Sequence, residues 1–315
     1  MARKNQSSSL LIEAARLYYE HKLNQQVISR KLGVSRPTVS RLLQQARDKG
    51  IVKIEIIDPQ GLGTKLEAEL TARFDLKKVI IVPNDSDELK IIKQRLGKAA
   101  VLFVDKLIDH GTVLGISWGT TMQEIARQVR KRRVNDMVVV QLNGGVSRAE
   151  FDTHASEIAK GIGENYRAIP YLMPLPAIVD NSELKQAILF DRNIARTLEL
   201  GRRAEIALFT VGSFGFTSVL VRADYFEPDE VESLLHAGAV GDICSRIINE
   251  KGEICSPELN ARTIGIELED LQQKPYSIAV AGGKDKLSAI RAGLKGKWFN
   301  CLITDEWIAA ELLKD

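Results

Sequence analysis

Four short stretches of this chain set glycines, hydroxyls and isolated charges side by side, a mixture suited to holding a small polar anion. Ser117-Trp118-Gly119-Thr120-Thr121 closes an apolar run and opens a helical pattern. Glycine lets the backbone approach a ligand, two threonine hydroxyls can donate, and the free N–H groups of a helix start favour negative charge. That is how a phosphate is cradled. The stretch lacks the lysine of a P-loop, so it is not an ATPase motif. Asn143-Gly144-Gly145-Val146-Ser147 and Ala281-Gly282-Gly283-Lys284-Asp285-Lys286 repeat the theme, the latter with two cations before a helix. The fourth stretch, 240–246, offers Asp242 as an acceptor for ligand hydroxyls. Each alone reads as readily as a tight connection; together they point to a small, phosphorylated, polyhydroxylated ligand. Asp180-Asn181 reads equally as a hydroxyl contact or as the N-cap of a helix over 182–190.

A second constellation suits a different partner. Residues 24–50, NQQVISRKLGVSRPTVSRLLQQARDKG, read as a helix, a turn containing Gly33 and a second helix. Ser35 is a good N-cap, and Pro37 sits in the first turn, where its missing N–H costs nothing. Val39, Leu42, Leu43 and Ala46 share one apolar face, while Arg36, Ser40, Arg41, Gln44 and Arg47 lie opposite. This is the helix-turn-helix layout that reads a DNA major groove. Gln25, Ser35, Arg36, Pro37, Thr38, Ser40, Arg41 and Gln44 form the expected DNA-binding set. Arginine and glutamine suit bidentate base contacts, and hydroxyls suit phosphates or base edges.

The charge distribution agrees. Residues 1–50 hold ten Lys and Arg against three acidic residues, while the rest holds 34 against 38. A basic end on a mildly acidic body fits a nucleic-acid-binding module joined to something else. Cys244, Cys255 and Cys301 have neither CxxC spacing nor a nearby histidine cluster, so no metal site, disulfide framework or cofactor is expected. His21, His110, His154 and His236 belong to no triad or paired-carboxylate arrangement, and no catalytic residue is assigned. No run reaches the about twenty apolar residues of a membrane span, and there is no apolar signal core, so a cytoplasmic protein without membrane contact is expected.

The supporting elements follow from periodicity. Before the motif, Leu10, Ala14, Leu17 and Tyr18 predict one face of a helix over 9–21, and 51–58 predicts a short strand or wing. Residues 1–58 are then a DNA-binding domain and 59–315 a second domain, with 59–76 as linker and first helix. Thr64 is placed as that helix's cap, and the helix either pairs with its copy in a second subunit or opens the second domain. Apolar strands are predicted at 78–83, 112–119, 137–145, 206–213, 276–283 and 299–305, with helices at 88–109, 120–131, 151–165, 287–294 and 305–313. Such alternation argues for a doubly wound, mostly parallel α/β sheet.

With the motif, SWGTT, GDICSR and AGGKDK in hand, the chain resembles the SorC/DeoR-type family of sugar-binding bacterial transcriptional regulators, and within it the deoxyribonucleoside-regulator branch. The resemblance runs from LYYE (17–20) through GISWGTTM (115–122), VVQLNGG (139–145) and ALFTVG (207–212) to NCLITD (300–305). It implies an effector domain similar to sugar-phosphate isomerases that has kept binding and lost catalysis. It implies a phosphate at Gly119, Thr120 and Thr121 with Lys286 nearby, and a sugar lined by Gly144, Gly145, Asp180, Asn181 and Asp242. It also implies a homodimer or homotetramer on double-stranded operator DNA, controlled by a phosphorylated sugar. In the most similar branch the residue before Gly-Gly can be lysine, able to form an imine with an open-chain sugar; here it is Asn143, which cannot. Deoxyribose-5-phosphate, bound reversibly, is the expected effector of a repressor. The alternatives are a different sugar phosphate, an effector domain that only oligomerises, or an active isomerase or aldolase carrying a DNA-binding appendage.

Overall fold

A computed structural model describes residues 2–48, 50–52, 62–85, 88–145 and 153–314. The chain divides into two compact units, Met1–Pro59 and Gln60–Asp315. In the first, helix Ala2–Ala15 continues as a π-turn over Arg16–Glu20 and is followed by helices Gln25–Leu32 and Arg36–Asp48. Asn24 caps the middle helix by accepting from the Val27 N–H, and Gly33 ends it at φ 63°. The predicted face of the third helix is the buried one: Val39 and Leu43 pack with Ile28, and Leu42 and Ala46 with Leu11, Ala14 and Ala15. The first helix differs from expectation. Leu11, Ala14 and Ala15 are fully inside, whereas Leu10, Leu17 and Tyr18 are only partly buried. The π-turn, closed by the His21 N–H on the Arg16 carbonyl, shifts the phase of the apolar stripe. The wing expected over 51–58 lies outside the described residues beyond Val52, as does the turn at 58–61.

In the second unit, strands run in chain order β1 (Lys78–Val82), β2 (Val113–Ile116), β3 (Val138–Gln141), β4 (Ile169–Tyr171), β5 (Ile206–Phe209), β6 (Val211–Ser213), β7 (Ala239–Ile243), β8 (Arg246–Asn249), β9 (Tyr276–Val280) and β10 (Cys301–Asp305). Seven form one sheet in the order β1-β10-β9-β5-β2-β3-β4, every neighbouring pair parallel. Helices cover both faces. Ile206 and Leu208 of β5 enter one core with Leu96, Met122 and Ile158. Ala207 and Phe209 enter the other with Leu70, Ile290 and Ile308. Alternate residues of one strand thus feed two cores, which is why these strands read as continuous apolar runs.

The α/β class stands as expected, with corrections of detail. The run 206–213 is two strands in two sheets: after Phe209 the chain leaves the parallel sheet, and β6, β7 and β8 form a separate antiparallel sheet. The stretch 240–246 is therefore a hairpin, not the end of a parallel strand ahead of a helix. Edge strand β4 was not foreseen; it holds Pro170, which an edge tolerates because its missing N–H leaves no ladder bond unmade. Thr64 lies inside helix Leu62–Phe74 and does not cap it. That helix packs Leu66, Leu70 and Phe74 into the second unit's core, so it opens that domain. Helix Thr120–Gln128 stops short of Lys131, and the expected helix start at 151–152 lies outside the described residues. No described helix is long and apolar enough to cross a membrane.

Candidate functional site

Chain order sets the place. From β2 the chain winds outward through β3 and β4, then returns to the far side of β2 at β5 and winds the other way through β9 and β10. The carboxyl ends of β2 and β5 therefore part at a topological switch point, where open α/β sheets bind ligands. A cleft opens there. Ser117, Gly119, Thr120 and Thr121 line it from β2, Asn143 from beyond β3 and Thr210 from β5. Gly212, Asp242, Cys244 and Ser245 come from the antiparallel sheet, and Lys286 from the turn before helix Leu287–Lys295.

One end is built for an anion. Gly119, at φ 117°, starts helix Thr120–Gln128, so the unpaired N–H groups of its first turn face the cleft's side of the sheet. Lys286 Nζ donates to the Val211 carbonyl at 2.8 Å and to Thr210 Oγ1 at 3.3 Å. Burial pushes its amine down to about 8, Asp285 and Asp242 pulling it up and Lys93 adding to the depression. Lys93 Nζ donates to Thr120 Oγ1 at 3.0 Å. Sequence reasoning missed Lys93, one of several basic residues on helix Leu89–Val104.

The other end accepts and orients. Asn143 is 2% exposed; its Nδ2 donates to Ser245 Oγ at 2.8 Å, and its Oδ1 has no partner among the described residues. Burial raises the Asp242 carboxyl to about 6, against the pull of Lys286 and of the Ser245 N–H. That N–H donates to Asp242 Oδ2 at 3.2 Å. Gly212 makes room for the same carboxylate, since a Cβ there would meet Asp242 Oδ1 at 2.0 Å. Ser245 is aimed by a tight hairpin turn in which Cys244 (φ 49°) and Ser245 (φ 68°) are both left-handed. Burial raises the Cys244 thiol to about 12, so it stays protonated and inert.

Gly119, Thr120, Thr121, Asn143, Asp242 and Lys286 thus come together. Other predicted residues stand apart from the lining. A Cβ on Gly144 would strike the Pro176 carbonyl and one on Gly145 the Trp118 ring, so both glycines serve close packing under Trp118. Trp118 Nε1 fixes that contact by donating to the Gly144 carbonyl at 2.7 Å. Val146 and Ser147 lie outside the described residues. Asn181 caps helix Ser182–Leu189, accepting from the Leu184 N–H at 2.8 Å, and Asp180 beside it is exposed. His154 lies next to Glu157, with Nδ1 3.2 Å from Oε2, at the protein surface. Among the described residues no group of three His, Cys, Asp or Glu could hold a metal ion.

On helix Arg36–Asp48, Ser35 Oγ accepts from the Thr38 N–H at 3.3 Å and shares a hydrogen bond with Thr38 Oγ1 at 2.8 Å. Gln44 is held at both ends of its amide, donating to Asp48 at 2.9 Å and accepting from Arg47. Arg36, Ser40 and Arg41 are exposed and make no side-chain contact of this kind among the described residues, and Pro37 is exposed beside them. Gln25 opens the preceding helix, partly buried.

Known proteins match this arrangement along its length. The Sugar-bind family model, a sugar-binding domain, covers residues 58–314, and a Crp-like helix-turn-helix domain covers residues 8–64. The deoxyribonucleoside regulator of Bacillus subtilis (strain 168) is 41% identical over 310 residues, 98% of this chain and 99% of that protein. The sorbitol operon regulator of Klebsiella pneumoniae is 30% identical over 307 residues, covering 97% of this chain and 98% of that protein. The crystal structure of that full-length regulator, SorC, superposes with a TM-score of 0.84 at 29% identity, covering 97% of this chain and 98% of the other.

Proposed function

The chain belongs to the family of bacterial transcriptional regulators that join a helix-turn-helix to a sugar-binding domain, and from that premise we propose that it is a cytoplasmic repressor released or tightened on its operator by a phosphorylated sugar. The observation that carries the ligand class is the two-ended cleft: helix start, threonines and lysine at one end, Asn143 Oδ1 and Asp242 at the other. The first end suits a phosphate and the second suits sugar hydroxyls, which need acceptors. Deoxyribose-5-phosphate fits this description, and the Bacillus relative's name favours a sugar of deoxyribonucleoside origin. An amide at position 143 cannot form an imine, so the sugar is held reversibly there, through hydrogen bonds. Helix Arg36–Asp48 enters the major groove, with Arg36, Ser40 and Arg41 free to reach bases and phosphates. Two copies in a symmetric oligomer would set two such helices about one DNA turn, roughly 34 Å, apart, on an imperfect palindrome or direct pair. Ligand control requires that the sugar bind one arrangement of the DNA heads better than another.

A thermal-shift panel of pentose and deoxypentose phosphates, repeated as an operator-binding titration, tests this directly. The expected result is a rise in melting temperature with deoxyribose-5-phosphate together with a change in operator affinity. No response to any sugar phosphate in either assay would overturn the reading.

A second reading has one observation in its favour. Asp242 near 6 and Lys286 near 8 share the cleft, values suited to moving protons at neutral pH. An active sugar-phosphate isomerase would use such a pair. Turnover of a pentose phosphate by the purified protein, lost in Asp242→Asn, would establish it in place of the regulator that only binds.

A further inference from the structure

The anion end of the cleft holds more positive charge than one lysine supplies. Lys286, from the turn after β9, lines it, and Lys93, from helix Leu89–Val104, stands at its rim against Thr120. Each donates to a threonine hydroxyl, Thr120 at the end of β2 and Thr210 at the end of β5, so the two amines bracket the switch point. Neither has a carboxylate within ion-pair distance among the described residues, and Lys93 is near enough to depress the Lys286 amine. The start of helix Thr120–Gln128 adds about half a positive charge. Asp242 and Asp285 are the acidic groups that act on Lys286. The Asn143 side chain, 2% exposed with Oδ1 unpartnered, lines the same cleft and marks it independently as a ligand site.

We propose that Lys93 is a second phosphate-binding cation, closing with Lys286 on a phosphomonoester dianion seated at the start of helix Thr120–Gln128, and that Lys93 is what makes the site demand a phosphorylated sugar. This rests on the sugar-phosphate reading above and deepens it. A phosphomonoester carries a charge of about −1.5 to −2 at neutral pH, which matches two amines and a helix start better than a carboxylate or phosphodiester would. Lys93 depresses the Lys286 amine even with Asp285 and Asp242 acting on it, and a dianion between the two amines offsets that repulsion. An unphosphorylated sugar would bring no such relief. Thr120 holds Lys93 in place before the ligand arrives, so little side-chain order is lost on binding.

The test is Lys93→Gln in the full chain, titrated by calorimetry with inorganic phosphate, deoxyribose-5-phosphate and deoxyribose. Lys93 is partly exposed and its helix buries other residues, so the variant is expected to fold with an unchanged melting temperature. Loss of one charge-assisted contact is expected to weaken deoxyribose-5-phosphate and inorganic phosphate by about 10- to 100-fold, leaving deoxyribose unaffected. The salt dependence of binding is expected to become shallower. Unchanged phosphate affinity in Lys93→Gln, or equal loss for deoxyribose and its phosphate, would overturn the role given to Lys93. If the wild type binds inorganic phosphate in a Lys93-dependent way but no pentose phosphate, the clamp stands and the choice of sugar falls. A wild type that binds neither refutes both.

Discussion

Asn143→Leu replaces a buried amide with an apolar group of the same branching and similar size, and it separates stability from binding at one atom. Among the described residues Asn143 Oδ1 has no partner, which costs about 1–3 kcal/mol relative to a satisfied carbonyl. The bond from Nδ2 to Ser245 Oγ at 2.8 Å returns about 0.5–1.5 kcal/mol. Leucine removes both but leaves the Ser245 hydroxyl, 1% exposed, without that partner at a cost of about 1–3 kcal/mol, so the net change in stability lies between roughly −3.5 and +1.5 kcal/mol in the variant's favour. At about 2–4 °C per kcal/mol for a domain of this size, the unliganded melting temperature is expected to change by between about −14 and +6 °C. Binding has one expected direction. A sugar hydroxyl that donated to Oδ1 would face a methyl group, a loss of about 1–3 kcal/mol, or roughly 5- to 150-fold in Kd. Differential scanning fluorimetry of the free protein and calorimetry with deoxyribose-5-phosphate read the two quantities. A variant that binds deoxyribose-5-phosphate as tightly as the wild type would refute the argument, because Oδ1 would then not be a ligand contact.

Asn143→Lys is expected to yield a borohydride-trapped adduct with deoxyribose-5-phosphate that the wild type does not give; mass spectrometry detecting an adduct on the wild type would sink reversible binding. Arg41→Ala, at an exposed position of the third helix, is expected to weaken operator binding in an electrophoretic or fluorescence assay while leaving sugar affinity unchanged. Unaltered operator affinity would count against the orientation given to that helix. The Lys286 amine is depressed to about 8 and an anion would raise it, so affinity for the phosphate dianion should be full between about pH 7 and 8 and fall as pH rises through and above 8. A flat profile from pH 7 to 10 would exclude Lys286 from the contact. Gly212→Ala would drive a Cβ to 2.0 Å from Asp242 Oδ1, and the displaced carboxylate is expected to weaken sugar binding while inorganic phosphate binds as before.

Legibility in the sequence followed how local the physics is. The face of helix Arg36–Asp48 is visible because Val39, Leu42, Leu43 and Ala46 repeat within one element, and the helix start behind Gly119 is visible because Ser, Gly and Thr are adjacent in sequence. Lys93 was hidden. Its helix carries Lys90, Arg95 and Lys98 as well, and only packing against Thr120 singles out one of them. The division of 206–213 was hidden because no Gly or Pro interrupts IALFTV; the break at Thr210 is made by contacts to Ser117 and Lys286 from far along the chain. The hairpin at 243–246 lacked its usual signal, Asn-Gly, since Cys244 and Ser245 occupy the left-handed positions instead. For Gly144 and Gly145 the glycine pattern was right as a sign of close approach, but the group that approaches is Trp118 and Pro176 in the described structure.

That unusual turn bears on what the cleft is for. Two non-glycine residues in the left-handed region cost about 1–2 kcal/mol each, and a glycine at either position would remove the strain. The surrounding structure holds the turn regardless. The Ser245 N–H is bound to Asp242, and Arg246, with its side chain fully buried, pairs with Glu267 at 2.9 Å and donates to the Ile266 carbonyl at 2.8 Å. The turn directs Ser245 Oγ onto Asn143 Nδ2, with Oδ1 left as the unpartnered amide atom. Held against Ser245, the amide meets the ligand at a fixed point of the cleft, so strain in the hairpin becomes precision in where the sugar is contacted.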